Sequence, residues 1–354
     1  MANIVENFTN YRIRSIEIAE AEYYETLIRT LDKIETDVVN LVNKNLPKSD
    51  DFKLFNLRSA IAVQPLIRQT LEKEYLRWSD TVVRDGFNKQ AKRIERAFRE
   101  VGNIPLRFQQ LTESDLTLIQ NLKRQTYTQF KDVSNTFTRR LSEKVYQYTL
   151  IGSDPVELEE ELRRTINGIY ASAKDSEVNE LVKSIKRDEV RLRKLDKRTV
   201  QGKALKNKLD KNIQTLQSKF ARDRAGENMK RYAGQILNDS LREFDATLNL
   251  AKSNDAGLTH VVYQGSNIPT TRDFCRLVRS GAYDKRNGGL FTIDEVRKLW
   301  RRNWKGKKPG DPFIVRGGYN CRHQWSFVNP DWYDRDGNLI IEYFYLIYSL
   351  MLCL

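Results

Sequence analysis

Apolar residues recur at three- and four-residue spacings through the first 250 residues, with charged residues between them. This spacing places the apolar side chains on one face of a helix. It predicts a helical body interrupted by proline, glycine and capping residues. The predicted helices cover residues 1–45, 52–63, 66–101, 112–150, 155–172 and 228–252.

Three local signals set the boundaries within this body. Pro65 separates the second helix from the third, because the residue before proline disfavours helical geometry. Thr112 and Asp115 have the spacing of a capping pair at a helix start. Asp154 is followed by Pro155, which suits the first turn of a helix, and Gly152 suits the left-handed end of the preceding one.

Residues 176–224 carry two narrow apolar stripes on a mostly basic background, and Gly202 permits a turn between them. The pattern predicts a basic helical hairpin at residues 176–224. The hairpin is inserted in a helical body that spans residues 1–255. The stripes are Val178, Leu181, Ile185, Leu192 and Leu195, then Leu205, Leu209, Ile213, Leu216 and Phe220.

The helical period is lost near residue 255. Short β-rich runs at 260–263, 313–315 and 324–328 predict strands, and Thr292 with Glu295 predicts a capped helix. We therefore expect a small α+β module rich in Cys, His and Arg at residues 256–330. The predicted fold is mainly α: a long helical bundle with a basic helical hairpin, followed by this small α+β C-terminal module.

An apolar tail occupies residues 331–354, most strongly from Leu339 onward. It is interrupted by Glu342 and is shorter than the roughly 20 residues that a membrane-spanning helix needs. We expect burial of the tail, against the protein or a partner, rather than membrane contact.

The net charge of +14 comes from two regions. Residues 183–224 contain 15 Lys and Arg against 5 Asp and Glu, and residues 271–325 contain 14 against 5. Such regions favour polyanions, nucleic acid first, although a solvated helix face is the alternative for the hairpin. The candidate nucleic-acid-binding residues are Lys183, Lys186, Arg187, Arg191, Arg193, Lys206, Lys208, Lys211, Arg301, Arg302, Lys305, Lys307 and Lys308.

Cysteine use and the N-terminus bear on compartment. Three cysteines in 354 residues do not form a disulfide framework, which indicates a reducing compartment. The first ten residues lack the basic and apolar regions of a secretory signal.

Cys275, Cys321 and His323 are the residues most suggestive of chemistry, because all three can ligate zinc. Cys-x-His is not a usual ligand spacing, and Cys275 stands alone, so we expect buried thiols rather than a metal. A nuclease using His323 with arginines is conceivable, but no hydrolase motif or phosphate loop accompanies it. We expect no cofactor and no catalytic residue; the predicted structural set is Arg272, Asp273, Cys275, Asn320, Cys321, Arg322 and His323.

Several segments fall in an order that resembles a known family. Gly-Ser-Asp-Pro-x-Glu-Leu stands at 152–158, Ala-x-x-Ile-x-x-x-x-Leu at 233–241, Arg-Asp-Phe-Cys at 272–275 and Gly-Gly-Tyr-Asn-Cys-Arg-His at 317–323. Over about residues 150–328 the chain resembles the Mu F-like minor head proteins, the head morphogenesis family of tailed bacteriophages. It departs from that family's frequent cysteine pairs, with Val278 and His323 in place of the second cysteines.

The resemblance implies a non-enzymatic virion component, present in few copies inside the head near the portal vertex, and in the host cytoplasm during assembly. It implies portal and other capsid proteins as partners, and double-stranded DNA contacted through phosphates, with no small-molecule substrate. Two alternatives stay open. One is an effector enzyme, a nuclease or transferase toxin carried by residues 255–330. The other is a coiled-coil DNA-organising protein that acts through residues 176–224.

Overall fold

The protein is mainly α-helical, with a small three-stranded antiparallel sheet near the C-terminus, as the sequence predicts. The computed structural model describes residues 4–46, 57–100, 110–168, 175–195, 199–223, 227–265, 267, 269, 271–280, 290–319 and 321–329. The predicted tail at 331–354 lies outside these ranges.

Nine helices precede the sheet in the described chain. They are α1 (Ile4–Asn45), α2 (Leu57–Leu71), α3 (Arg77–Thr81), α4 (Phe87–Glu100), α5 (Glu113–Leu150), α6 (Pro155–Asn167), α7 (Asp175–Lys194), α8 (Val200–Asp223) and α9 (Met229–Asp255). Two π-helical turns, Glu72–Leu76 and Val82–Gly86, connect α2, α3 and α4 without a break.

The predicted break at Pro65 is wrong, because Pro65 lies inside α2. Its side chain is exposed, while Ala60, Val63, Ile67 and Leu71 form a buried stripe on the other face. Proline in a helix interior costs about 3 kcal/mol. Burial of four apolar side chains, at about 1.5–3 kcal/mol for each large one, outweighs that cost.

The predicted helix caps are present. Asp115 N donates to Thr112 Oγ1 at 3.1 Å, and Thr112 N donates to the Asp115 carboxylate at 2.9 Å. Asp154 accepts from Val156 N at 2.8 Å at the start of α6. Gly152 has a φ of 67°, in the left-handed region that glycine favours.

Helices α7 and α8 form the predicted hairpin, with Ile185, Leu192 and Leu209 buried. Gly202 does not form the turn. It lies in the first turn of α8, where its N–H donates to Thr199 Oγ1 at 3.0 Å, so Thr199 caps the helix.

The sheet consists of β2 (Leu290–Thr292), β1 (His260–Gln264) and β3 (Gln324–Val328), in that order and antiparallel. Val261 pairs with Phe291 on one side and with Phe327 on the other. Three short helices separate the strands in the sequence. One, α10 (Asp273–Arg279), lies between β1 and β2, and two, α11 (Ile293–Trp300) and α12 (Pro312–Val315), lie between β2 and β3.

Residues 313–315 do not form the predicted strand, and belong to α12 instead. Asp311 accepts a hydrogen bond from Phe313 N at 2.8 Å, and Pro312 occupies the first helical position. A cap followed by proline favours helix, and it overrides the β preference of the apolar residues that follow.

The chain divides into two compact units. Unit 1 contains residues 1–16, 88–121 and 241–354, so it joins the C-terminal module to helical segments. Unit 2 contains residues 17–87 and 122–240, including the hairpin.

Aromatic packing and a polar cluster mark the core of unit 2. The Tyr75, Trp78 and Phe130 rings lie with their centroids 5.4–6.1 Å apart. Elsewhere in the unit, Glu35 accepts from Arg163 and from Asn167, each at 2.6 Å.

Two buried charge pairs hold unit 1 together. Asp245, fully buried, accepts from Arg12 Nη2 at 2.5 Å and from Gln90 Nε2 at 2.9 Å. Lys252 donates to Asp115 at 2.9 Å. A buried charge is tolerated only with such partners. These contacts therefore fix three segments that are distant in sequence.

The helices that the structure describes include none that is both long and apolar enough to span a membrane.

Replacing Asp245 by Asn should destabilise the protein by about 3–5 kcal/mol, because it removes the negative charge from buried Arg12. Urea unfolding measures this loss. In the double variant Arg12→Met with Asp245→Asn the loss should be smaller, since no buried charge then remains in the pair. Glu95→Gln, in the exposed Arg99–Glu95 pair, is the control and should cost less than about 1 kcal/mol. Equal losses in the single and double variants would contradict this explanation.

Candidate functional site

The C-terminal module brings Cys275 and Cys321 together, although 46 residues separate them. Cys275 lies in the first turn of α10, and Cys321 lies just before β3. The cluster that they form with Tyr263 and His323 is called the Cys/His cluster below. All four side chains are buried.

The distances within the Cys/His cluster are short. The two Sγ atoms lie 3.8 Å apart, and the Tyr263 hydroxyl lies 3.3 Å from each of them. His323 Nδ1 lies 3.9 Å from Cys321 Sγ. Both cysteines are free thiols, and an S–S bond of about 2.05 Å would require them to move closer. The arrangement is two sulfurs and an imidazole nitrogen facing a common space.

His323 is held in orientation from both sides. Its Nε2 lies 3.3 Å from the Asn267 Oδ1 atom, and its ring stacks on Tyr263 with centroids 5.3 Å apart. Assigning the proton to Nε2, which donates to Asn267, leaves the Nδ1 lone pair facing Cys321. Gly265, with a φ of 140°, permits this approach, since a Cβ there would lie 2.9 Å from the His323 Cα atom.

Within the cluster the pKa values of Cys275 and Tyr263 are raised, whereas the pKa of Cys321 is lowered. The hydrogen bond that Cys275 donates to Cys321, followed by burial, raises the pKa of Cys275. Burial alone would raise the pKa of Cys321, but the hydrogen bond from Cys275, the contact with His323 and the positive charge of Arg316 lower it well below its usual value. Burial also raises the pKa of Tyr263 well above its usual value. Negative charge in the cluster therefore resides first on Cys321.

Residues 316 and 317 close the cluster on one side. An added Cβ at Gly317 would lie 2.4 Å from Cys275 Sγ and 2.9 Å from both Cys321 Sγ and the Tyr263 hydroxyl. Arg316 is buried with a φ of 61°, a conformation uncommon for residues other than glycine. The main chain thus approaches the thiols more closely than any side chain would allow.

An aromatic stack lies beside the cluster. The Phe274 and Trp304 rings are parallel with centroids 3.9 Å apart, and Trp304 Nε1 donates to Gly317 O at 2.9 Å. Arg272 donates to the carbonyl of Tyr319. Arg276 donates to Pro269 O at 3.0 Å.

The other predicted structural residues differ in their placement. Asp273 is exposed, and its carboxylate lies 3.9 Å from Arg276. Arg322 is half-buried, and its carbonyl accepts from Arg242 at 3.2 Å. Asn320 lies outside the described residues.

The basic loop at 305–310 is partly used inside the module. Lys307 donates to Trp300 O at 2.6 Å and to Arg302 O at 2.9 Å, and lies over the Trp304 ring at 4.9 Å. Lys308 forms an ion pair with Glu243. These two predicted DNA-binding residues therefore serve internal contacts, whereas Arg301, Arg302 and Lys305 are exposed.

The predicted basic residues of the hairpin are mostly exposed. This holds for Lys183, Arg187, Arg191, Lys206, Lys208 and Lys211. The side chains of Lys186 and Arg193 lie outside the description. Lys208 pairs with buried Asp188 at 2.9 Å. Burial would raise the pKa of Asp188, but the hydrogen bond and charge of Lys208 lower it below its usual value.

Comparisons of the chain with models of protein families, with curated proteins and with solved structures found no match.

Sequence reasoning missed three contributors to the cluster. Tyr263 was interpreted only as a strand residue, Gly317 as a turn residue, and Asn267 was given no role. Tyr263 and Asn267 have no signal in their neighbours, because the cluster residues that they contact are at least 12 positions away, and the closest approach of Gly317 is to Cys275, 42 positions away.

Replacing Gly317 by Ala should destabilise the protein by about 1–3 kcal/mol, because the new methyl group meets two sulfurs and a hydroxyl. Thermal or urea unfolding measures the loss. Gly257→Ala, at a φ of 69° and with no atom within 4 Å of its Cβ, measures the cost of backbone strain without a close approach, and Gly317 does not lie in that left-handed region. Cys275→Ala should partly rescue Gly317→Ala. A Gly317→Ala loss no larger than that of the control would mean that the close approach is not the constraint.

Proposed function

We propose that this chain is a structural minor head protein of a tailed bacteriophage, near the portal and inside the head, that contacts DNA through phosphates. The resemblance at 152–158, 233–241, 272–275 and 317–323 supports the phage assignment. The basic face of the hairpin supports the DNA contact, and it is the observation that carries this part of the proposal.

That basic face consists of exposed lysines on α8. Lys203, Lys206 and Lys211 are all exposed there. Among the described residues, no carboxylate lies within ion-pair distance of any of the three. Exposed lysines can neutralise phosphate, with release of the counterions that surround DNA. Such contacts hold a duplex without reading its sequence.

The burial of the Cys/His cluster supports a structural role for the module over the effector-enzyme alternative. A general base must come within about 3 Å of the proton that it removes from a substrate. His323 is 3% exposed, and both its nitrogens face protein atoms. Portal and capsid proteins remain the proposed partners, and the head interior the proposed location.

The triple variant Lys203→Gln, Lys206→Gln, Lys211→Gln should bind duplex DNA more weakly than the unmodified chain at low salt. Each lost phosphate contact lowers the slope of log K against log salt by about 0.9, so three lower it by about 2.7. Fluorescence anisotropy with duplexes of unrelated sequence measures both effects, and the loss should be equal for all sequences.

The matched control removes three exposed charges from α5, with Arg124→Gln, Lys131→Gln and Arg139→Gln. It should keep the salt slope and most of the affinity. An unchanged slope in the α8 variant, or the same decrease in both variants, would refute the DNA contact through this face.

The virion assignment has a separate test. In DNA-filled particles of the phage that encodes the chain, mass spectrometry should detect it in few copies. External protease should leave it intact until the heads are opened. Its absence from purified heads would refute the assignment, whatever the DNA-binding result.

A further inference from the structure

Cys275, Cys321 and His323 present three ligand atoms of the kind that zinc prefers, all within 4.8 Å of one another. All three side chains are buried. Sequence spacing argued against a metal, because these residues do not form a local ligand motif. Folding removes that objection, since α10 and the segment before β3 bring the ligands together.

Two of the three separations between the ligand atoms are close to those of a tetrahedral zinc site, and the third lies within 4.8 Å. With Zn–S bonds of about 2.3 Å and Zn–N bonds of about 2.0–2.1 Å, two sulfurs stand about 3.8 Å apart and a sulfur and a nitrogen about 3.6 Å apart. The two Sγ atoms are 3.8 Å apart, and Cys321 Sγ is 3.9 Å from His323 Nδ1. A disulfide would need a much shorter distance.

Two features of the surroundings support a bound ion. The contact between His323 Nε2 and Asn267 Oδ1 is the outer contact that usually orients a metal-bound imidazole, and it directs Nδ1 toward the sulfurs. Gly317 leaves open the space beside both thiols, where a Cβ would stand 2.4 Å and 2.9 Å from the sulfurs. Because residue 317 is a glycine, no side chain occupies this space beside the two sulfurs.

We propose that Cys275, Cys321 and His323 bind one Zn²⁺ ion, which links α10 to the start of β3. The two thiolates balance the charge of the ion, and each thiol releases one proton on binding. The Tyr263 hydroxyl, 3.3 Å from each sulfur, donates a hydrogen bond to a thiolate. The ion is structural, and the inference stands independently of DNA binding.

The first test is metal content. The full chain, purified under reducing conditions from zinc-supplemented cells, should contain about one zinc per chain by inductively coupled plasma mass spectrometry. Cys275→Ser, Cys321→Ser and His323→Gln should each lower the content at least tenfold. The matched controls Cys353→Ser and His260→Gln replace the remaining cysteine and the remaining histidine, and both should keep the zinc.

A second test uses the unmodified chain, so it stays informative if the variants do not fold. Cobalt added to the metal-free protein should give the sulfur-to-cobalt charge-transfer band and the strong visible bands of a tetrahedral site. Removal of zinc by a chelator should lower the Tm, and added zinc should restore it.

Three outcomes would overturn the proposal. One is zinc-free protein whose Tm does not respond to added zinc. Another is cobalt binding without a charge-transfer band. The third is a Cys275–Cys321 disulfide, detected by mass, in protein kept reducing throughout. If the chain binds zinc but not DNA, the proposed DNA contact through the hairpin is refuted, whereas the proposed metal site is supported.

Discussion

The buried carboxylate of Asp245 is the contact on which the organisation of unit 1 depends. Its partners Arg12 and Gln90 lie 233 and 155 residues away, so one charge joins the first helix, the fourth and the ninth. A charge without partners in an apolar interior is strongly unfavourable, and only chain arrangements that supply both donors are stable. Apolar stripes alone permit many helix pairings, whereas this charge permits few. The C-terminal module belongs to the same unit, and Lys308 with Glu243 joins it to α9.

A second constraint acts inside the module, where a backbone approaches two thiols and a phenol. Gly317 makes room, and Trp304 binds the carbonyl of the same residue at 2.9 Å. The Phe274–Trp304 stack then covers this turn from one side. Close packing of this kind tolerates no added methyl group. The Cys/His cluster is therefore positioned by packing contacts around it and not by a local sequence motif.

The features predicted correctly from sequence are those that depend on near neighbours. The caps at Thr112, Asp154 and Thr292 need only residues two or three positions away, and all three are present. Predictions failed where two local preferences competed. The apolar stripe of α2 outweighed Pro65, and the cap at Asp311 outweighed the β preference of residues 313–315. Long-range contacts such as Lys308 with Glu243 had no local signal, so the role of the basic loop within the fold was not predicted.

The same reasoning applies to the spacing of Cys275, Cys321 and His323 and to the proposed metal site. Ligand-spacing rules describe sites built from one or two short loops, in which the chain between ligands is itself the scaffold. Here the scaffold is α10 and the segment before β3. The distance between the ligands depends on how Tyr263, Gly317 and Trp304 hold these two elements. Spacing in sequence then carries no information about the distance between sulfurs, and 3.8 Å is reached across 46 residues. What decides between a packed pair of thiols and a metal site is the third ligand, because a pair of thiols in a core has no need of an imidazole held by Asn267 with Nδ1 facing inward.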